Sequence, residues 1–437
     1  MEFGYGQIGG MTLVMLSCCW AALAKEECPQ AIFAFGASMS DTGNSEAAFP
    51  YQSVAQSNPP YGNTFFGRPA NRFSDGRVVL DFFAQALKIP LLSPYLQSVG
   101  YDFSHGANFA FAGVTTQNIT YPATVTAPFY YWVQTKQFQL FKERTLALWT
   151  IASSRKGAQR SYVKLLTKPK HFQTALYFTT FGANDFIVPL FRLGLSIQQV
   201  QSNVSIISNA MVQNTEELYN QGARTLMVFN VPPLGCYPAF LASPRIRNMS
   251  TVDPHGCLAT VNEAVETTNS LIRSGLKDLR SKHPDATIIY ADLYTILKDL
   301  IVNGTSYGVC NMFMQSPTLA ITFLSKLGFR DTNGCVLSAN TAGFKETFKA
   351  CCGAGGGAYN LNPNVSCGLS ALVNGQLIQG TSCSDPGSYV NWDGVHVTDA
   401  AASFIARAVL QGKHTEPVYK LTELCRLSFE QFSPSPP

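Results

Sequence analysis

The chain has 437 residues, of which 46% are hydrophobic and only 13% charged, with a formal net charge of +4. That length and apolar content suffice for a large buried core. The small charge, without a long basic run, excludes nucleic acid and a strongly electrostatic membrane surface as partners.

Residues 1–24 read as a signal peptide: an apolar stretch at 11–23 ends in Ala22-Leu23-Ala24, a small-x-small pattern that places the cut after Ala24. The n-region is weak, with Glu2 and no lysine or arginine. No other stretch reaches the length of a transmembrane helix. Cys18 and Cys19 leave with the leader, and the remaining ten of the twelve cysteines are an even number in an oxidising compartment. That favours disulfides, whose pairing stays open. Zinc would want paired C-x-x-C spacings, and none occurs, so neither metal nor cofactor is expected. Five N-x-[ST] acceptors, Asn118, Asn203, Asn248, Asn303 and Asn364, agree with secretion and are glycosylation candidates.

The first element is a short apolar run, Ile32 to Phe35, suited to a buried central strand and punctuated by Gly36. Ser38 follows where the strand gives way to a turn rich in caps: Asp41, Thr42, Gly43 and Asn44. Residues 59–75 carry glycines, prolines and aromatics with no period, and read as a loop at the mouth of a site. A helix is expected over 77–87 and a second apolar run over 107–112, closed by Gly113. Strands are expected over 175–181, 225–231 and 286–290, and helices over 196–221, 261–281 and 398–410, the last capped by Thr398. Strands alternating with long helices imply an α/β fold in three α/β/α layers, a parallel sheet with helices on both faces. Beyond His414 the chain reads as a disordered tail, 415–437.

A nucleophilic serine needs a histidine to take its proton and a carboxylate to orient that histidine. Asp393 and His396 stand three residues apart on a turn before a helix, and Asp102 and His105 share the spacing. His171, His255, His283 and His414 are expected to be solvated. A G-x-S-x-G match at 304–308 follows a helical stretch rather than a strand, so it does not fit a nucleophile elbow.

Four blocks then carry a resemblance: Phe35-Gly-Ala-Ser38 with Asp41-Thr-Gly-Asn44, the stretch 106–113, Gly182-Ala-Asn184-Asp185, and Trp392-Asp393-Gly-Val-His396. In this order they resemble the GDSL esterase/lipase family of the SGNH hydrolases, in its plant branch, over nearly all of 28–410. The resemblance implies Ser38 as nucleophile, His396 as base and then acid, and Asp393 as its orienting partner. It also implies an oxyanion hole from the Ser38 and Gly113 N–H groups and the Asn184 amide. The expected protein is an apoplastic serine esterase acting on short acyl esters of cell-wall polysaccharide or glycosylated metabolites. The alternatives are a lipase for longer chains or a catalytically silent carbohydrate-binding relative. The aromatic loop at 61–73 would suit a sugar face or simply pack. Oligomeric state stays open, with a monomer as the default expectation.

Two departures stand out. Ala37 occupies the place of the family's aspartate before the nucleophile, and residues 309–343 have no counterpart there. Joining Gly308 to Phe344 restores the family's run, so 309–343 reads as an insertion, a translated intron being one source of it, in an otherwise single hydrolase domain spanning 25–414. The alternative is a genuine lid or surface hairpin closed by Cys310 and Cys335.

Overall fold

The computed structural model describes residues 27–50, 55–118, 128–154, 161–306, 343–427 and 429. The signal peptide and nearly all of 309–343, with Cys310 and Cys335, lie outside the described residues.

Five parallel strands form the frame: β1 (Ile32–Gly36), β2 (Gly106–Asn108), β3 (Leu176–Thr180), β4 (Thr225–Phe229) and β5 (Thr287–Ala291). In space they run β5-β4-β3-β1-β2, so the chain starts near one edge, fills it, then crosses back to build the other side. Every residue of β1 is buried, as a strand covered on both faces requires, which is why its sequence is apolar throughout rather than alternating. Helices Tyr131–Ser154, Val204–Asn220, Ala259–Lys282 and Asp399–Leu410 supply the covering layers.

The end of β1 is held by its neighbours. Gln134, from the first long helix, accepts from the Gly36 N–H and donates to the Gly36 carbonyl, both at 2.9 Å. A Cβ on Gly36 would stand 2.3 Å from Thr180 Oγ1, so the close approach of β3 excludes any side chain there.

The expected helices are present, one of them broken in two. The stretch 196–221 divides into Ile197–Gln201 and Val204–Asn220. At the joint Ser202 Oγ and Asn203 Nδ2 both donate to the Gln199 carbonyl, competing with the backbone ladder. Thr398 caps the last helix as expected, accepting from the Ala401 N–H at 3.2 Å.

The expectation of a disordered tail after His414 is corrected through residue 427. Thr415–Glu416 adds an antiparallel edge strand to β5. Tyr419 and Leu421 are buried, and Cys425 is bonded to Cys28. The open edge of β5 needed a partner, and a strand of two residues is too short to show a period in the sequence. All eight described cysteines are paired: Cys28–Cys425, Cys236–Cys257, Cys351–Cys383 and Cys352–Cys367. No helix among the described residues is long and apolar enough to cross a membrane.

Candidate active site

Ser38 sits just beyond β1, at the carboxyl end of the parallel sheet, where open α/β folds place their ligands. The turn closes on its own backbone: the Ala37 carbonyl accepts from the N–H groups of Ser40 and Asp41, both at 3.0 Å. Ala37 is buried, and its own N–H donates to the Thr180 carbonyl. The turn therefore needs no carboxylate at position 37 to hold its shape.

What does hold it is Asp41. Its carboxylate accepts from the N–H groups of Gly43 (2.8 Å), Asn44 (2.7 Å), Ser45 (3.2 Å) and Ala112 (2.9 Å). The last contact joins the nucleophile turn to the loop carrying Gly113. Burial pushes this carboxyl up, against the pull of those backbone donors. Asn44 and Asn108 complete the join, Asn44 donating to the Asn108 and Ala110 carbonyls and Asn108 to the Ser40 carbonyl.

Facing Ser38 are His396 and Asp393. His396 Nε2 lies 2.7 Å from Ser38 Oγ, and His396 Nδ1 lies 2.7 Å from Asp393 Oδ2. With Nδ1–H turned to the carboxylate, Nε2 is left as the acceptor for the serine proton. The 393–396 turn shapes itself, since Asp393 Oδ1 also accepts from the N–H groups of Val395 and His396. Burial opposes ionisation of Asp393, but the His396 charge and the hydrogen bonds from His396 and Tyr61 hold its carboxyl below the usual range.

The other aspartate–histidine pair is elsewhere. His105 is directed at the Gln30 carbonyl, 2.8 Å away, and takes no part in the site. The expectation that the remaining histidines are solvated holds for His255 and His414, which are exposed. It is corrected for His171, which is buried, and for His283, which stacks on Tyr219 and contacts Glu216.

Asn184 opens the helix Asn184–Phe191 and lines the cavity beside Ser38. One hydrogen of its amide goes to the Val114 carbonyl at 2.9 Å, which leaves the other available. Among the described residues the Ser38 and Gly113 N–H groups have no hydrogen-bond partner. Gly113 has φ +79°, a conformation glycine takes without strain. The next residue after Asn184, Asp185, binds both the N–H and the hydroxyl of Thr116, fixing the oxyanion side to the loop after Gly113.

The cavity measures about 210 Å³, and its lining includes Phe73, Phe181, Ile187, Leu293 and Val395, with Arg192 at an exposed position. Among the described residues that line it, none is an aspartate or glutamate. The 59–75 loop does reach the site, but most of its aromatics pack. Tyr61 is buried, Phe65 and Phe66 lie against the guanidinium groups of Arg77 and Arg72, and Phe73 alone of the four reaches the cavity. Sequence reasoning missed Tyr61, Asp185 and Gln134 as supports. Tyr61 and Gln134 lie far along the chain from the groups they hold, and no local spacing signals such contacts.

Such an arrangement can deprotonate a hydroxyl and stabilise an oxyanion formed next to it. A family profile described as GDSL-like Lipase/Acylhydrolase matches residues 32–409. A GDSL esterase/lipase of Arabidopsis thaliana is 35% identical over 398 residues, covering 91% of each chain. Another, from Medicago truncatula, is 34% identical over 421 residues, 95% of each chain. An Arabidopsis thaliana protein named alpha-L-fucosidase 3 is 34% identical over 385 residues, 87% of this chain and 90% of that one. The chain belongs to the GDSL-like lipase/acylhydrolase family and is a carboxylic ester hydrolase.

Proposed function

We propose that Ser38 attacks the carbonyl carbon of a short-chain carboxylic ester, forming an acyl-enzyme that water then hydrolyses. His396 takes the hydroxyl proton through Nε2 and delivers it to the departing alcohol, and Asp393 fixes the tautomer and orientation of the imidazole. The Ser38 and Gly113 N–H groups and Asn184 Nδ2 receive the developing oxyanion. Water, activated in turn by His396, then releases the acid.

The observation that carries this reading is the 2.7 Å contact between Ser38 Oγ and His396 Nε2 inside a cavity lined by Gly113 and Asn184. The volume of about 210 Å³ lies below the range of roughly 300–1,000 Å³ usual for drug-sized ligands, which favours an acetyl-sized acyl group over a long lipid chain. The acyl acceptor we propose is cell-wall polysaccharide or a glycosylated metabolite, as the resemblance of the sequence blocks to the plant branch of the family implies. Secretion fits the signal-like leader and the four disulfides, and all five glycosylation candidates are exposed.

The relative named for fucosidase activity suggests a second reading. Glycoside hydrolysis ordinarily uses two carboxyl groups flanking the scissile bond. Among the described residues the lining of this cavity offers none, which favours the ester.

The test is turnover of 4-nitrophenyl acetate, butyrate and palmitate and of an aryl α-L-fucoside by wild type, Ser38→Ala and His396→Ala. The acetate is expected to be the best substrate, and each substitution to lower kcat by about 10³-fold or more without unfolding the protein. Near-wild-type ester turnover by Ser38→Ala, or preferential cleavage of the fucoside, overturns the reading. Absence of turnover on every ester would favour a silent binding relative.

A further inference from the structure

We propose that Tyr61, from the 59–75 loop, is a positioning residue of this site, holding the Asp393 carboxylate in the orientation that His396 requires. The proposal rests on the roles assigned above to Asp393 and His396.

Tyr61 Oη donates to Asp393 Oδ2 at 2.8 Å, the same oxygen that lies 2.7 Å from His396 Nδ1. The other donors to this carboxylate, the Val395 and His396 N–H groups and the imidazole, all belong to the 393–396 turn. Among the described residues, Tyr61 is therefore the one hydrogen-bond donor to Asp393 from outside that turn. A short flexible turn can supply its own internal contacts in more than one orientation, whereas a donor fixed elsewhere selects one of them.

Tyr61 is itself held. It is 2% exposed, and its ring stands edge-on to Trp392 at 5.6 Å and to Phe73 at 6.4 Å. Phe73 in turn lies against the His396 ring, with centroids 4.8 Å apart. The loop is closed on itself by the Gly62 N–H to the Ser74 carbonyl and the Thr64 N–H to the Asp75 carbonyl. Asp75 then accepts from the Asp399 N–H, at the start of the helix that follows His396. One loop thus contacts both members of the Asp393–His396 pair and the helix behind them.

Burial, then the negative charge and hydrogen bond of Asp393, push the Tyr61 phenol well above its ordinary value, so it remains a donor throughout the working range. Its donation withdraws negative charge from Asp393. That tempers the pull of the carboxylate on a protonated His396 and favours handing the proton on to the leaving alcohol. The other titratable or charged groups near the pair are Tyr237 and Arg192. Tyr237 has a buried phenol without a hydrogen-bond partner among the described residues, and Arg192 lines the cavity.

The test is Tyr61→Phe, which keeps the ring and removes only the hydroxyl. We expect kcat to fall on the order of ten-fold, the size set by one hydrogen bond to a charged group, with KM within about two-fold. The acidic limb of kcat/KM should move to higher pH by about half a unit or more, because a less neutralised Asp393 holds the imidazolium proton more tightly. In an Asp393→Ala background the same substitution should leave kcat unchanged, since Tyr61 acts only through that carboxylate. Tyr237→Phe serves as the control that leaves the limb in place. Should Tyr61→Phe fold poorly, 3,5-difluorotyrosine at position 61 keeps the shape and strengthens the donor, and the limb should then move to lower pH. An unmoved limb in both Tyr61 variants, or a kcat loss that adds to that of Asp393→Ala, overturns the proposal. Retained turnover by Ser38→Ala would instead overturn the underlying functional reading.

Discussion

Two regions bring Ser38 and His396 together, and they are built in different ways. The nucleophile turn at 37–44 follows directly from a buried central strand and is fixed by short-range polar contacts, above all the four N–H groups on Asp41. The Asp393–His396 turn lies outside the main sheet. It extends from a short strand, Tyr389–Asn391, that pairs with Glu346–Ala350 in a two-stranded sheet and, among the described residues, makes a single further bridge from Asn391 to Val397. There the Cys351 and Cys352 N–H groups donate to the Asn391 and Trp392 carbonyls, and each of those cysteines is bonded to a more distant one. A large sheet can orient a turn through hydrogen bonds alone. A small two-stranded region buries too little apolar area to do so, and covalent links take its place.

The comparison can be broken first on the nucleophile side. Asp41→Ala leaves four N–H groups without their acceptor in a buried site, and it should cost on the order of 4 kcal/mol together with most of the esterase activity. Chemical denaturation and acetate turnover measure both. A loss below about 1 kcal/mol would mean that the turn is held by something else.

On the other side, replacing Cys352 and Cys367 by alanine opens a loop with a sequence separation of 15. By the chain-entropy estimate that removes about 3 kcal/mol, and kcat should fall as Trp392 and Asp393 lose their anchor. Removing Cys28–Cys425 should lower stability while leaving kcat within about two-fold, because that bridge ties the tail and not the turn. Equal effects of the two bridges on kcat would erase the distinction drawn here.

A finer probe uses Asp185. Burial pushes its carboxyl up to about 7, against the hydrogen bonds from Thr116, whereas an unfolded aspartate titrates near 3.9. Between those values the folded protein binds the extra proton. Its contribution to stability is therefore present below about pH 4 and is lost as pH rises through about 7. Asp185→Asn should flatten the decline in the urea midpoint between pH 5 and pH 8. An identical decline in the variant would show that the group is ionised across this range.

The smallest effect is expected from deleting 309–343. The flanking chain already meets, with the Phe344 N–H on the Gly304 carbonyl at 3.2 Å, so closure costs little. Acetate turnover should stay within about two-fold and the denaturation midpoint nearly unchanged. Failure to fold would show that the segment packs into the core.

Both regions left a mark in the sequence. The nucleophile turn could be read because its parts are adjacent: an apolar run, Gly36, Ser38 and the cap-forming Asp41 and Asn44. The Asp393–His396 spacing was legible too, although Asp102 and His105 share it and the resemblance of the 392–396 block separated them, and the five-stranded parallel frame was legible from its apolar runs. Their supports were not. Tyr61 is 332 residues from Asp393, and Gln134 is 98 from Gly36, separations at which periodicity carries no information. The pairing of the cysteines was closed to sequence reasoning for the same cause. The tail at 415–427 was misread because its edge strand is only two residues long, too short to show a period, and its role depends on the register of β5.

The central claim, that Ser38 is the acylated nucleophile, is tested most directly by trapping. The protein is treated with an aryl alkylphosphonate fluoride, digested, and the modified peptide located by mass spectrometry. The account predicts one adduct, on Ser38, formed in step with loss of esterase activity and absent after His396→Ala at the same exposure. Labelling of a different residue with the same loss of activity, or full activity with Ser38 modified, would contradict it.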